Sequence, residues 1–253
     1  MTKEERHRPF CYENVDSNTM VIFIHGVIEG PNQFKEFAKI VYKKNFSYSA
    51  ILLDGHGKRG IDFAKSNKEK WIESLDREIV KYKDKYEKII LVGHSMGGLL
   101  SILASLKYKD KISGLVLIAV PFRVSIKFKM IKSSIKIYFG RIKKNDFLTM
   151  KAYDALSVGI GNLGTYIKWI PRYLDLFTLM HITEKKLPKL EVPTLIIYTK
   201  KDELVSEKSL RVLEKNLRND YEIIHLEESG HFYYNRKELS QILKKFKEFL
   251  DRV

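Results

Sequence analysis

The sequence predicts an α/β domain, with a mostly parallel central sheet, helices on both faces and one inserted helical segment. Short runs rich in branched apolar residues, among them 20–24 (MVIFI), 89–92 (IILV), 114–119 (GLVLIA) and 192–198 (VPTLIIY), alternate with segments whose apolar residues recur at helical spacing. Such runs suit strands buried on both faces, and their alternation with helices yields a parallel sheet. The alternation stops at about residue 122 and resumes at about 190. This divides the chain into a core, 1–121 and 191–253, and a helical cap insertion, 122–190. A length of 253 residues fits one such domain and buries an ample core.

Taken in order, the first dozen residues are polar and charged and read as a lead-in or an edge strand. The strand 20–24 runs into His25-Gly26-Val27-Ile28-Glu29-Gly30-Pro31, a tight loop that exposes backbone N–H groups at the carboxyl edge of the sheet. Pro31 suits the first turn of a helix carrying Phe34, Phe37, Ile40 and Val41. Residues 49–53 form the next strand and end in the turn Asp54-Gly55-His56-Gly57. Residues 66–87 read as one long surface helix, with Trp71, Ile72, Leu75, Ile79 and Tyr82 on one stripe. The strand 89–92 follows, then Gly93-His94-Ser95-Met96-Gly97-Gly98 and an apolar helix.

That last stretch is G-x-S-x-G with a strand before it and a helix after it. In such a turn the serine sits in a strained backbone conformation, its neighbours must be small, and its hydroxyl projects at the positive end of the helix dipole. Ser95 is therefore the expected nucleophile. A serine hydroxyl needs a base to take its proton, and the base needs an acid to hold its tautomer. His231, on a Gly-His loop after the last strand (221–226), is the expected base. Asp202, on the loop after the penultimate strand, is the expected acid, with Glu203 and Glu228 as the alternatives. Of the other histidines, His25, His56 and His94 lie beside glycines in turns and are expected to hold loops by hydrogen bonds, His7 and His181 lie in the lead-in and the insertion, and His225 falls within a strand.

The insertion reads as three helices near 125–144, 146–160 and 171–187. Between 123 and 189 it carries 14 Lys and Arg against 4 Asp and Glu, a net of +10 in a chain whose formal net charge is +15. In its first helix Phe128, Ile131, Ile135, Tyr138 and Ile142 share one face and several lysines a neighbouring one, so it roofs a cleft or lies on a membrane surface. Gly159-Ile160-Gly161-Asn162-Leu163-Gly164 matches G-x-G-x-x-G, but no strand precedes it, and a hinge between helices is expected rather than a dinucleotide site.

Together, His25-Gly26, Gly55-His56-Gly57, Gly93 to Gly98, Asp202 to Val205 and Gly230-His231 resemble the α/β-hydrolases, and within them the capped carboxylesterase and monoacylglycerol lipase branch that also holds serine aminopeptidases. The resemblance covers about 20–121 and 192–253. It implies an α/β-hydrolase fold, the triad Ser95, Asp202 and His231, and an oxyanion hole made by the backbone N–H groups of Val27 and Met96. It implies hydrolysis of a small-molecule carboxylic ester through an acyl-enzyme, with no metal and no organic cofactor. A serine aminopeptidase or an acyltransferase could use the same triad, and a binding protein on a hydrolase scaffold is the non-enzymatic alternative. The nucleophile position holds Ser rather than the Asp of dehalogenases and epoxide hydrolases. The insertion carries no recognisable motif, and its acidic residues, Asp146, Asp154, Asp175 and Glu184, offer no obvious clamp for a peptide amine.

The same insertion supplies Phe122, Phe128, Met130, Ile131, Ile135, Ile137, Tyr138 and Phe139 as candidate walls for an acyl chain of short to medium length. The basic residues, 35 Lys and 11 Arg, are spread along the chain without an RNA-binding or zinc-finger signature, so no nucleic-acid partner is expected. Their excess reflects either the coding bias of an AT-rich genome or a weak contact between the insertion and an anionic membrane surface. The lone Cys11, the absence of an apolar leader in MTKEERHRPF and the absence of a long apolar run point to a soluble, cytoplasmic protein.

Overall fold

The computed structural model describes residues 7–253. The first six residues of the expected lead-in therefore lie outside the described residues. The rest of the lead-in includes a short edge strand, β1 (Phe10–Tyr12). After it come β2 (Thr19–Ile24), α1 (Lys35–Lys43), β3 (Ser47–Ala50), α2 (Gly60–Ala64), α3 (Lys68–Tyr82), β4 (Lys88–His94), α4 (Met96–Lys107) and β5 (Ile112–Ile118). The segment after β5 holds α5 (Phe128–Tyr138), α6 (Phe147–Ala155), α7 (Leu163–Ile167) and α8 (Ile170–Lys186), and the core resumes with β6 (Thr194–Thr199), α9 (Lys208–Asn216), β7 (Tyr221–Leu226) and α10 (Arg236–Arg252).

The strands form one seven-stranded sheet in the order β1-β3-β2-β4-β5-β6-β7. Only the β1–β3 pair is antiparallel. Successive residues of the central strands face opposite sides. Met20, Ile22, Ile24, Leu91 and Leu117 pack with Trp71, Leu99 and Leu179. Val21, Phe23, Val92 and Ile118 pack with Phe37 of α1 and with Phe246 and Phe249 of α10. The sheet is thus covered on both faces, which is why its strands read as unbroken apolar runs.

Three differences from the expected elements have local causes. The third strand covers 47–50, not 49–53, because the Leu53 N–H donates to His25 Nε2 at 3.1 Å instead of to a strand. The expected helix 66–87 breaks at Ser66 and Asn67: the Ser66 hydroxyl donates to Asp54 O at 3.0 Å, and the Asn67 side chain caps α3 by accepting from Lys70 N. The first insertion helix is shorter than 125–144 because Ser125 and Lys127 donate backbone hydrogen bonds to Leu204 and Glu203, while Gly140, at φ +66°, ends it beyond Phe139.

The segment expected to be a hinge, 159–164, is anchored at its start and by the residues just before it, and its end is helical. Leu156 pairs with Glu29, Ser157 N donates to Ile28 O at 3.0 Å and Gly159 N to Lys58 O at 2.8 Å. Asn162 then caps α7, a helix the sequence reading missed.

The closest backbone approach that a glycine permits here is at Gly97, where an added Cβ would lie 2.0 Å from the Ile24 carbonyl oxygen, whereas at Gly164 the nearest atom would be 3.5 Å away. Gly97→Ala should lower stability by about 2 kcal/mol or more, a loss of about 4–8 °C in Tm, and Gly164→Ala should leave Tm within about 3 °C. Differential scanning calorimetry of the two variants checks the contrast.

Candidate active site

β4 delivers the chain to Ser95 at φ +50° and ψ −120°, the left-handed region that a non-glycine residue adopts only when its surroundings enforce it. The enforcement is visible on both sides. Ser95 N donates to Ile118 O at 2.8 Å, and Gly98 N donates to Ser95 O at 3.0 Å. A Cβ at Gly93 would meet Gly97 O at 2.4 Å, and one at Gly98 would meet a Val120 methyl at 2.2 Å. Met96 opens α4, so its N–H is one of those a helix leaves without an internal partner.

His231 and Asp202 arrive from the loops after β7 and β6. The His231 Nδ1–H donates to Asp202 Oδ2 at 2.8 Å, and Asp202 Oδ1 accepts from Leu204 N and Val205 N, each at 2.8 Å. Burial opposes ionisation of Asp202, but His231 and the two amides outweigh it and hold its carboxyl below the usual range. The alternative acids stand elsewhere. Glu203 is fully buried, but its carboxylate accepts from the His231 backbone N–H at 2.9 Å and pairs with Lys129 at 2.9 Å, so it fixes the loop rather than the ring. Glu228 is exposed and pairs with Lys201.

The residue the sequence reading passed over is Glu29. It is 2% exposed, and its Oε2 accepts from Gly26 N at 3.1 Å, Gln33 Nε2 at 2.8 Å and His94 Nδ1 at 2.8 Å. Its Oε1 stands 3.4 Å from His231 Nε2. One carboxylate therefore ties the loop after β2, the histidine preceding Ser95 and the His231 ring. Burial again opposes the charge, and His94 and His231 nevertheless keep Glu29 well below the usual carboxylate range. Its signal in the sequence is an acid on the His-Gly loop, at the same sheet edge as Ser95, Asp202 and His231.

The other two loop histidines behave as expected. His25 Nε2 accepts from Leu53 N and His56 Nε2 accepts from Ile28 N, both at 3.1 Å, while each Nδ1 donates to a backbone carbonyl. Burial pushes His25 down to about 3 and His56 to about 4, which keeps both neutral. With Gly26 N taken by Glu29 and Ile28 N by His56, the Val27 N–H between them has no acceptor among the described residues.

Glu29, His94 and His231 place three potential metal donors within 4.8 Å of one another. Those atoms are already engaged with each other and with Asp202, so hydrogen bonding accounts for the cluster. Ser95, His231, Val27 and Glu29 lie at the wall of a cavity of about 760 Å³. Most of the remaining wall is apolar and comes from the insertion, including Met130, Ile131, Ile135, Tyr138, Tyr173 and Phe177. Two of the expected wall residues are not there: Phe122 is buried in the core, and Phe128 points to solvent.

A parallel sheet whose central strand ends in a serine at a strained turn, with a histidine and an aspartate on the last two loops, defines the α/β-hydrolase class. The family model described as serine aminopeptidase, S33, matches residues 16–156, and the chain belongs to that family. A putative esterase/lipase of Mycoplasma pneumoniae is 34% identical over 98 residues, which are 39% of this chain and 36% of that relative. A proline iminopeptidase of Saccharolobus solfataricus is 26% identical, covering 96% of this chain and 88% of its own. A thermostable monoacylglycerol lipase of a Bacillus species is 23% identical, covering 88% and 86%. The solved structure of a monoacylglycerol lipase from Paleococcus ferrophilus superposes with a TM-score of 0.71 at 20% identity, covering 96% of this chain and 97% of that one. No described helix is long and apolar enough to cross a membrane.

The His231 ring lies between two carboxylates. Burial alone would lower its pKa, and Asp202 and Glu29 together raise it above the usual value. Glu29→Gln removes one of the raising charges, so the titration midpoint of His231, followed by ¹⁵N NMR of the imidazole, should move to lower pH. An unchanged midpoint would show that Glu29 does not act on the ring.

Proposed function

We propose that the protein is a serine hydrolase that cleaves carboxylic esters with one acyl chain of short to medium length, monoacylglycerols among them, through Ser95, His231 and Asp202. The observation that carries this reading is the cavity: an apolar chamber of about 760 Å³ with Ser95 and His231 at its wall, within the size range of small-molecule sites. His231 Nε2 takes the Ser95 proton, Oγ attacks the acyl carbonyl, and the oxyanion accepts hydrogen bonds from Val27 N and Met96 N. His231 then returns the proton to the departing alcohol, and a water activated by the same nitrogen releases the acid from the acyl-enzyme. Asp202 holds the Nδ1–H tautomer and the charged imidazole. The insertion acts as a cap that supplies the acyl wall.

Esters are favoured over peptides on a specific ground. An aminopeptidase holds its substrate's ammonium with free carboxylates, and none of Asp146, Asp154, Asp175 and Glu184 lines the cavity. Asp146, Asp175 and Glu184 are paired with Lys136, with Lys68 and Arg172, and with Arg123. Among the described residues Glu29 is the one carboxylate in the wall, and its oxygens already face His94, Gln33, Gly26 and His231.

Ser95→Ala should lower kcat for p-nitrophenyl esters by about 10⁴-fold or more, and Asp202→Asn by about 10³–10⁴-fold, with the fold retained by circular dichroism. Near-normal turnover of Asp202→Asn beside a crippled Glu203→Gln would move the acid to Glu203. Across straight-chain p-nitrophenyl esters kcat/KM should rise about fourfold per methylene until the cavity is filled, as burial of about 0.8 kcal/mol per CH₂ requires. Aminoacyl anilides should be poor substrates, and a preference for them would replace the esterase reading with a peptidase.

A further inference from the structure

Among the described residues, 17 large apolar side chains are exposed, and 14 of them lie between Val124 and Phe177. They are not scattered. On α5 and at its C-cap, Phe128, Ile131, Ile135 and Phe139 recur at three- and four-residue spacing and are exposed, the last three at the cavity wall and Phe128 beyond it, while Met130, Ser133 and Ile137 are buried. The α5 helix therefore carries an exposed apolar stripe that starts at the cavity wall and continues past it to Phe128.

Across the cavity the same pattern repeats. Leu163, Ile167, Ile170, Leu174 and Phe177 recur at helical spacing through α7 and α8, each about half exposed or more. The rings of Tyr138 and Tyr166 meet at 5.5 Å, which brings the two stripes to one rim. Ile131, Ile135, Phe139, Leu163 and Phe177 also line the cavity wall, so the stripes are continuous with it.

Charge identifies what could cover this surface. The segment 123–189 holds a net +10, and among the described residues Lys127, Lys132, Lys143, Lys144 and Lys168 have no carboxylate within ion-pair distance. Lys132 folds over the ring of Phe128 at 4.7 Å. A second copy of the chain would bring like charge against like charge. A bilayer with anionic headgroups instead pairs with the lysines while the apolar stripes enter the headgroup boundary, as amphipathic helices do when they lie in the interface.

We propose that the outer face of the insertion docks on the surface of an anionic lipid bilayer, with the cavity rim turned toward the lipid. Docking in this pose lets a single-chain lipid pass from the bilayer along the α5 and α8 stripes into the cavity without crossing water. The docking itself requires no chemistry at Ser95, so it stands or falls separately from the proposed hydrolysis.

The test is vesicle sedimentation of the full chain, as wild type and Ser95→Ala, with phosphatidylcholine vesicles with and without phosphatidylglycerol, at low and physiological salt. Both proteins should bind the anionic vesicles, and binding should persist at physiological salt at about tenfold or more above that to pure phosphatidylcholine. Two double variants outside the cavity wall, Phe128→Ser with Leu174→Ser and Lys132→Glu with Lys168→Glu, should each weaken binding about tenfold or more. Each should retain wild-type Tm and wild-type hydrolysis of soluble p-nitrophenyl butyrate. Equal binding to both vesicle types, no binding, or wild-type binding by both variants would overturn the proposal. A dimer in analytical ultracentrifugation that the Phe128→Ser, Leu174→Ser variant dissociates would assign the face to a second copy instead.

Discussion

The backbone of α4 lies against the end of β2 so closely that a single methyl group at Gly97 would sit 2.0 Å from the Ile24 carbonyl oxygen. Much of the site's geometry depends on that contact. β2 and β4 are neighbours in register, with Ile24 opposite Gly93, so two chains leave the same sheet edge side by side. One becomes the loop with the Val27 N–H, and the other becomes the strained turn with Ser95 and the Met96 N–H. Both segments therefore leave the same sheet edge, and Val27 and Ser95 both reach the wall of the cavity.

Polar contacts then fix how the third segment, the loop carrying His231, meets this edge. Asp202 accepts from one ring nitrogen and Glu203 from the backbone N–H, while the Glu29 carboxylate stands 3.4 Å from the other ring nitrogen, where it favours the charged ring. A buried charge is tolerated only when it is paired and hydrogen-bonded. Glu29 meets that condition through Gly26, Gln33 and His94, all on the two segments that carry the proposed oxyanion donors and nucleophile. The insertion joins the same assembly by pairing Leu156 with Glu29 and by the salt bridge from Lys129 to Glu203. The roof of the cavity is thus fastened to the residues that hold His231.

The parallel sheet was legible because strands such as 20–24 and 89–92 are buried on both faces and carry no polar interruption. The turn at Ser95 was legible because its glycines are required sterically. Glu29 was not, since its role comes from a contact with His94, 65 residues away, and with His231, about 200 residues away, neither of which has a local signature. The helix breaks at Ser66 and Gly140 were missed for related reasons: each helix ends where a side chain or backbone group is claimed by a distant loop or by a positive φ. Within the insertion, the periodicity correctly marked apolar stripes, but a stripe alone does not say which side meets the cavity. Phe128 is the instance, placed in the wall by its spacing and in solvent by the fold.

The central claim is that the strained turn at Ser95 carries the nucleophile of a serine hydrolase. Its most direct measurement is reaction of the wild-type chain with a fluorophosphonate probe, followed by intact mass and peptide mapping. One phosphonyl adduct per chain, located on Ser95 and lost when the protein is unfolded before exposure, is the result predicted. No adduct on the folded protein, or an adduct on a different serine, would contradict the account.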